Sequence, residues 1–268
     1  MTNARGIKTI TYYCGDDERE MCLFPYSEPV RRKRRGGKVK ESAPKQKNLN
    51  DKNARRYFRR LVKTNFSKGD LHLTLTYSDE NLPADVEAAE QEVKNFLRRV
   101  ARWRKRAGLE SMKYIYITEV SGRGRVHHHL LTKGDMDREV LESLWQKGWA
   151  NAKKLQPSSN GLNDIIAYLS KDPKGRKRWH PSRNLKKPEM SISYSKVSMR
   201  QYNQLSLWPE DSESTKALCE KACAGFELTS FMKPYNEIVG AYYMYAELTR
   251  IHGGTENTKP KPRPKPRK

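Results

Sequence analysis

Three consecutive histidines, His127, His128 and His129, make up half of the six in the chain and stand in a run of strand-forming residues. They follow Glu119 and a glycine-rich turn, Ser121-Gly-Arg-Gly-Arg125. Side chains alternate across a strand, so His127 and His129 share one face and His128 takes the other. A turn spanning 121–125 pairs Val120 with Val126 and Glu119 with His127, with Cβ atoms about 4.5–5.5 Å apart on one face. Glu119, His127 and His129 then form a compact ligand set that leaves positions for water and a phosphate oxygen. Such a set takes zinc, and also manganese or magnesium where phosphate supplies further oxygens. A solvated histidine strand contacting nucleic acid directly is the plainer alternative. His72, earlier in the chain, is a candidate further ligand.

A second pair could act on a phosphate so held. Tyr168 and Lys171 are three apart and share one face of a short helix. A tyrosine oxygen forms covalent intermediates with phosphoryl groups, and Lys171 would hold the phosphate or stabilise the phenolate. Spacing leaves open the alternative that Tyr168 packs beside Ile165 and Leu169 with Lys171 in solvent.

These residues need a sheet to position them. Residues 71–77 alternate apolar and polar, as do 113–120 and 126–132, and 149–155 reads as a fourth strand. Residues 85–107 carry a helical stripe of Val86, Val93, Phe96, Leu97 and Val100, and 135–147 carries Val140, Leu141, Leu144 and Trp145. The order β-α-β-β-α-β predicts an α+β fold, a ferredoxin-like or RRM-like antiparallel sheet with helices on one face. A basic amphipathic helix with Tyr57, Phe58, Leu61 and Val62 is expected over 51–65, and a helix over 163–171 ends before Pro173. The domain plan is a basic, partly flexible region over 1–50, with one short strand at 7–13, and a sheet domain over 51–190. A largely helical C-terminal appendage over 191–252 and a disordered Lys/Pro tail over 253–268 complete it.

Charge points to the partner. Lys and Arg number 54 against 31 Asp and Glu, a net +23, and such an excess favours a polyanion through counterion release. The residues expected to contact nucleic acid are Arg31, Arg32, Lys33, Arg34 and Arg35, Arg123 and Arg125, and Lys174, Arg176, Lys177 and Arg178. Cys14, Cys22, Cys219 and Cys223 contain no CxxC pair, which suits a reducing, cytoplasmic compartment. No apolar run approaches the roughly 20 residues of a membrane span. No GxxxxGK[ST] motif is present, so a fused helicase is not expected.

Taken in order, the strand at 71–77, His127-His128-His129 in the place of His-hydrophobic-His, and Tyr168-Leu-Ser-Lys171 as Tyr-x-x-Lys resemble the HUH endonuclease superfamily. The likeness covers residues 70–175 and is greatest to the single-tyrosine rolling-circle replication initiators of plasmids and single-stranded DNA phages. It implies that His127, His129 and the nearby Glu119 bind Mg or Mn, and that Tyr168 attacks a scissile phosphate of origin DNA. A 5′-phosphotyrosine and a free 3′-OH result, and strand transfer religates. It also implies a single-stranded or hairpin origin, a host helicase and polymerase as partners, and the cytoplasm of a bacterial host cell. His128 departs from the usual aliphatic residue, and no second tyrosine stands beside Tyr168. A mobilisation relaxase or an HUH transposase would use the same chemistry. A non-catalytic RRM-like binder would instead stack bases on sheet aromatics such as Tyr114 and Tyr116.

Overall fold

Leu71, Leu73 and Leu75 alternate with His72, Thr74 and Thr76, and this alternation builds the strand next to the histidines. A computed structural model of the chain describes residues 6–26, 44–156, 162–170, 178–237 and 239–251. Its elements run β1 (Gly6–Cys14), β2 (Glu18–Tyr26), α1 (Pro44–Asn65), β3 (Leu71–Thr76), α2 (Val86–Arg106), β4 (Tyr114–Val120) and β5 (Val126–Thr132). Then come α3 (Arg138–Ser143), β6 (Ala150–Lys154), α4 (Asn163–Leu169), β7 (His180–Pro181), β8 (Glu189–Ser193), α5 (Met199–Leu207) and α6 (Glu213–Ala222). Strands β9 (Phe226–Met232), β10 (Tyr235–Asn236), β11 (Ala241–Tyr242) and β12 (Met244–Arg250) close the series. The fold is mixed α+β, and it divides into one unit over 42–187 and another formed by 1–41 with 188–268.

In the unit over 42–187 the strands lie in the order β6-β3-β5-β4-β7, every pair antiparallel. The first four strands with α2 and α3 reproduce the expected β-α-β-β-α-β order. Asp85 caps α2 by accepting from the Ala88 N–H at 2.7 Å. From there Ala89, Val93, Phe96 and Val100, spaced three or four apart, bury one stripe against Leu71, Leu73, Leu75 and Leu130. Arg104 continues that stripe, 2% exposed, and forks onto Asp135 at 2.9 and 2.7 Å. Tyr114 and Tyr116 belong to this packed face. Tyr116 is buried and stacks on His180 at 4.4 Å, so neither ring offers an open platform for a base.

Helix α3 is shorter than its apolar pattern predicts, because the chain must turn at once onto β3. Trp145 Nε1 donates to the Thr76 carbonyl at 2.8 Å. Gly148, at φ 148, passes so close that a Cβ there would lie 2.4 Å from Ser78 N. The opposite face of the sheet is covered in part by α1 and α4. Phe58, Leu61, Val62 and Phe66 meet Ile115, Leu131, Leu155, Ile166 and Leu169 there. Helices thus stand on both faces, with α2 and α3 on the side anticipated. Tyr57, one residue (about 100°) around α1 from Phe58, turns outward and is 42% exposed.

The second unit joins both ends of the chain. Its sheet runs β8-β1-β2-β12-β9, with β12 antiparallel to β2. Helices α5 and α6, the expected C-terminal helical part, bury Tyr202, Leu205, Cys219 and Cys223 against Ile7, Met21, Leu23, Met244 and Leu248. Strands β9 and β12 stand where helix is expected, and β8 where a loop is expected. Residues 6–26 form a hairpin rather than one short strand in a flexible region. The burial of Thr9, Thr11 and Glu20 hides the apolar alternation that would mark these strands. All four cysteines are buried free thiols, and burial pushes Cys219 up to about 12. The tail at 253–268 lies outside the described residues.

Candidate active site

The β4–β5 hairpin has the register expected from its turn: Val120 pairs with Val126, Glu119 with His127, Thr118 with His128 and Ile117 with His129. One Glu119 oxygen, Oε2, lies 3.5 Å from His127 Nε2 and 3.5 Å from His129 Nε2. The two imidazole rings are 5.0 Å apart and nearly perpendicular. One ligand atom from each of the three residues falls within 4.8 Å of the others. Atoms bound to one ion at about 2.0–2.2 Å sit roughly 3–4 Å from one another, so only small side-chain adjustments would let these converge on a metal. The donor set of two imidazoles and a carboxylate suits a divalent ion. Among the described residues, this is the group of histidines, cysteines and acids placed to hold one.

His128 points the other way, as strand alternation requires. It is fully buried, with Nδ1 3.0 Å from Thr118 Oγ1 and Nε2 2.9 Å from the Tyr77 hydroxyl. The Tyr77 hydroxyl also reaches the Ala89 carbonyl at 3.2 Å. Burial, and then its histidine neighbours, push the His128 pKa down to about 3, so the ring is neutral and belongs to the core.

Helix α4 carries the Tyr168 ring to the site. Ile166 and Leu169 face inward and anchor the helix on the sheet, which leaves Tyr168 40% exposed. Its hydroxyl lies 3.3 Å from His129 Nε2, and the two rings meet edge to face at 5.1 Å. The alternative of Tyr168 as core packing is therefore not what the fold adopts. Lys171 lies outside the described residues.

Two residues of β3 complete the surroundings. His72 Nε2 is 3.2 Å from His129 Nδ1, and Thr74 Oγ1 is 3.4 Å from the same atom. His72 thus meets the far side of a ligand ring rather than joining the ligand cluster. Burial and then Lys153 lower its pKa, which favours a neutral ring. The sequence reading missed Thr74. Its signal lies in the β3–β5 register, which sets Thr74 directly opposite His129. A cavity of about 200 Å³ opens beside His72, with Lys153, Lys154 and Asp164 in its wall.

The residues expected to contact nucleic acid divide three ways. Arg123 is exposed at the tip of the hairpin turn. Arg125 and Arg178 are engaged within the unit. Arg125 bonds Asp79 at 2.5 Å and the Tyr77 carbonyl at 3.0 Å, and Arg178 pairs with Asp51 of α1. Arg31, Arg32, Lys33, Arg34, Arg35, Lys174, Arg176 and Lys177 lie outside the described residues.

An antiparallel α+β sheet with a histidine-carboxylate cluster at a hairpin and a tyrosine beside it defines the site. Residues 70–173, from the start of β3 to just past α4, match the family model of the replication-associated protein ORF2. The match supports a role in DNA replication. No curated protein and no solved structure matches the chain.

Proposed function

We propose that the protein is a metal-dependent, site-specific endonuclease that nicks single-stranded origin DNA and rejoins it by strand transfer to start rolling-circle replication. The observation that carries this reading is the Tyr168 hydroxyl, 3.3 Å from His129 Nε2 at the edge of the Glu119–His127–His129 cluster. Glu119, His127 and His129 would hold Mg or Mn, which supplies Lewis-acid polarisation of the scissile phosphate. The Tyr168 oxygen attacks phosphorus, the P–O3′ bond breaks, and the 3′ oxygen leaves and takes up a proton. The product is a 5′-phosphotyrosine, and attack by a 3′-OH reverses the step. Lys171 would steady the phosphate. Lys153, Lys154, Arg123 and the basic segments at 31–35 and 174–178 would follow the DNA backbone.

The family match supports the replication role, and the buried Tyr114 and Tyr116 weigh against a base-stacking binder. A mobilisation relaxase or an HUH transposase of the same chemistry would differ in substrate, a transfer origin or paired hairpin ends. A host helicase and polymerase would act on the nicked product in the cytoplasm. Among the described residues, no helix is long and apolar enough to cross a membrane.

The test is incubation with a pool of labelled single-stranded DNA and Mn2+ or Mg2+, followed by denaturing electrophoresis. A covalent protein–DNA adduct should form with wild type and vanish in Y168F, whose DNA affinity should stay within about threefold, the change expected when one exposed hydroxyl is lost. An adduct that persists in Y168F would move the nucleophile elsewhere. No cleavage with either metal would sink the endonuclease reading.

A further inference from the structure

An imidazole that ligates a metal through Nε2 must carry its remaining proton on Nδ1, and that proton needs an acceptor. In the ligand-free ring the proton has a competing home. His129 Nε2 faces the Glu119 carboxylate at 3.5 Å and the Tyr168 hydroxyl at 3.3 Å. With the proton on Nε2, no lone pair there is left for a metal. What surrounds Nδ1 therefore decides how readily His129 serves as a ligand.

Two groups reach Nδ1. Thr74 Oγ1, at 3.4 Å, can donate as well as accept, so it leaves the tautomer open. His72 Nε2, at 3.2 Å, is the closer of the two. The fold places it there without strain. In the β3–β5 ladder Thr74 is directly opposite His129 and His72 is opposite Leu131, so His72 and His129 are diagonal neighbours on one face. Their rings lie 5.3 Å apart and 28° from parallel, on the face of the sheet that α4 partly covers.

We propose that His72 is a positioning residue for the metal site: its Nε2 lone pair accepts the Nδ1–H of His129, which frees His129 Nε2 for the metal and fixes the ring's orientation. The inference rests on the metal-site reading above. It assigns His72 a role distinct from ligation, since it meets the ring nitrogen turned away from Glu119. In this arrangement His72 keeps its own proton on Nδ1.

Mn2+ binding by the full-length protein without DNA, read by calorimetry and by the electron spin resonance of free Mn2+, tests this apart from catalysis. H72L fills a similar space without an acceptor and should weaken Mn2+ binding by about 10- to 100-fold, the usual loss when a ligand's supporting partner is removed. H72Q, whose amide oxygen can accept, should recover most of that affinity. Circular dichroism and thermal melting would report whether the variants fold.

H72L that binds Mn2+ as tightly as wild type overturns the proposal. H129A separates the two levels of the argument. If H129A loses Mn2+ while H72L does not, the ligand stands and the role of His72 falls. If H129A also binds like wild type, the metal site is misassigned and both readings fall. Should H72L fail to fold, long-range 15N–1H spectra of wild type with Mg2+ decide. His129 protonated on Nδ1 and His72 unprotonated on Nε2 support the proposal, and a proton on His129 Nε2 refutes it.

Discussion

At the scale of single residues, the three adjacent histidines do three different things. His127 faces the Glu119 cluster, His129 joins that cluster to Tyr168 and His72, and His128 is a neutral core residue bridging Thr118 and Tyr77. The last has a consequence in acid. The native His128 pKa is depressed to about 3 by burial, whereas the unfolded chain takes up a proton near the ordinary value of 6.5. Between these values the unfolded state binds the extra proton, so stability is full above about pH 6.5 and is lost as pH falls toward about 3. H128L lacks this linkage. Its urea-derived stability relative to wild type should be flat above pH 7 and should rise toward pH 4, by an amount on the order of a few kcal/mol. Parallel curves for the two proteins would show that His128 does not titrate as its burial implies.

At the scale of elements, the site depends on how tightly β3 is held by its neighbours. Asp70, 5% exposed, precedes β3 and accepts from Ser67 N at 2.8 Å, Gly134 N at 3.0 Å and Lys133 Nζ at 2.6 Å. The other end of β3 is clasped by the turn after α3, where Thr76 N donates to the Trp149 carbonyl and Ser78 N to that of Lys147. Gly148 sits inside that clasp with no room for a side chain. G148A should therefore cost about 2–4 kcal/mol in urea unfolding, through backbone strain and a forced shift of the 76–78 segment. A loss below about 0.5 kcal/mol, the range of an ordinary surface change, would mean that the turn relaxes freely. Because β3 carries His72 and Thr74, the same variant should weaken Mn2+ binding, though no residue at position 148 touches the cluster.

At the scale of the molecule, the two units each have a core of their own, and every residue of the candidate site falls within 42–187. A fragment spanning 42–187 should unfold cooperatively by itself. Saturating Mn2+ should raise its Tm, since a ligand bound only by the native state stabilises by RT ln(1 + [L]/Kd), about 2.7 kcal/mol at a hundredfold excess over Kd. A fragment that folds but shows no Mn2+-dependent rise would place essential metal-binding residues outside this unit. The net charge of +23 gives the whole chain a second signature, an affinity for single-stranded DNA that falls steeply with salt.

What the sequence alone determined is what neighbouring residues settle between themselves. A five-residue turn and the period of two along a strand were enough to pair Glu119 with His127, set His129 beside them and send His128 inward, because a hairpin's register is fixed locally. The β-α-β-β-α-β order followed in the same way from apolar periodicity. Contacts between segments far apart in the chain depended on packing. Tyr168 reaches His129 across 39 positions only because Ile166 and Leu169 dock α4 on the sheet. His72 and Thr74 meet His129 only through the register of β3 against β5, 55 and more positions away. The pairing of β2 with β12 brings opposite ends of the chain into one sheet, and Glu18, Arg19 and Glu20 give no apolar pattern to announce it. Local periodicity states which face a side chain occupies. Which other face it meets is set by burial summed over the whole unit.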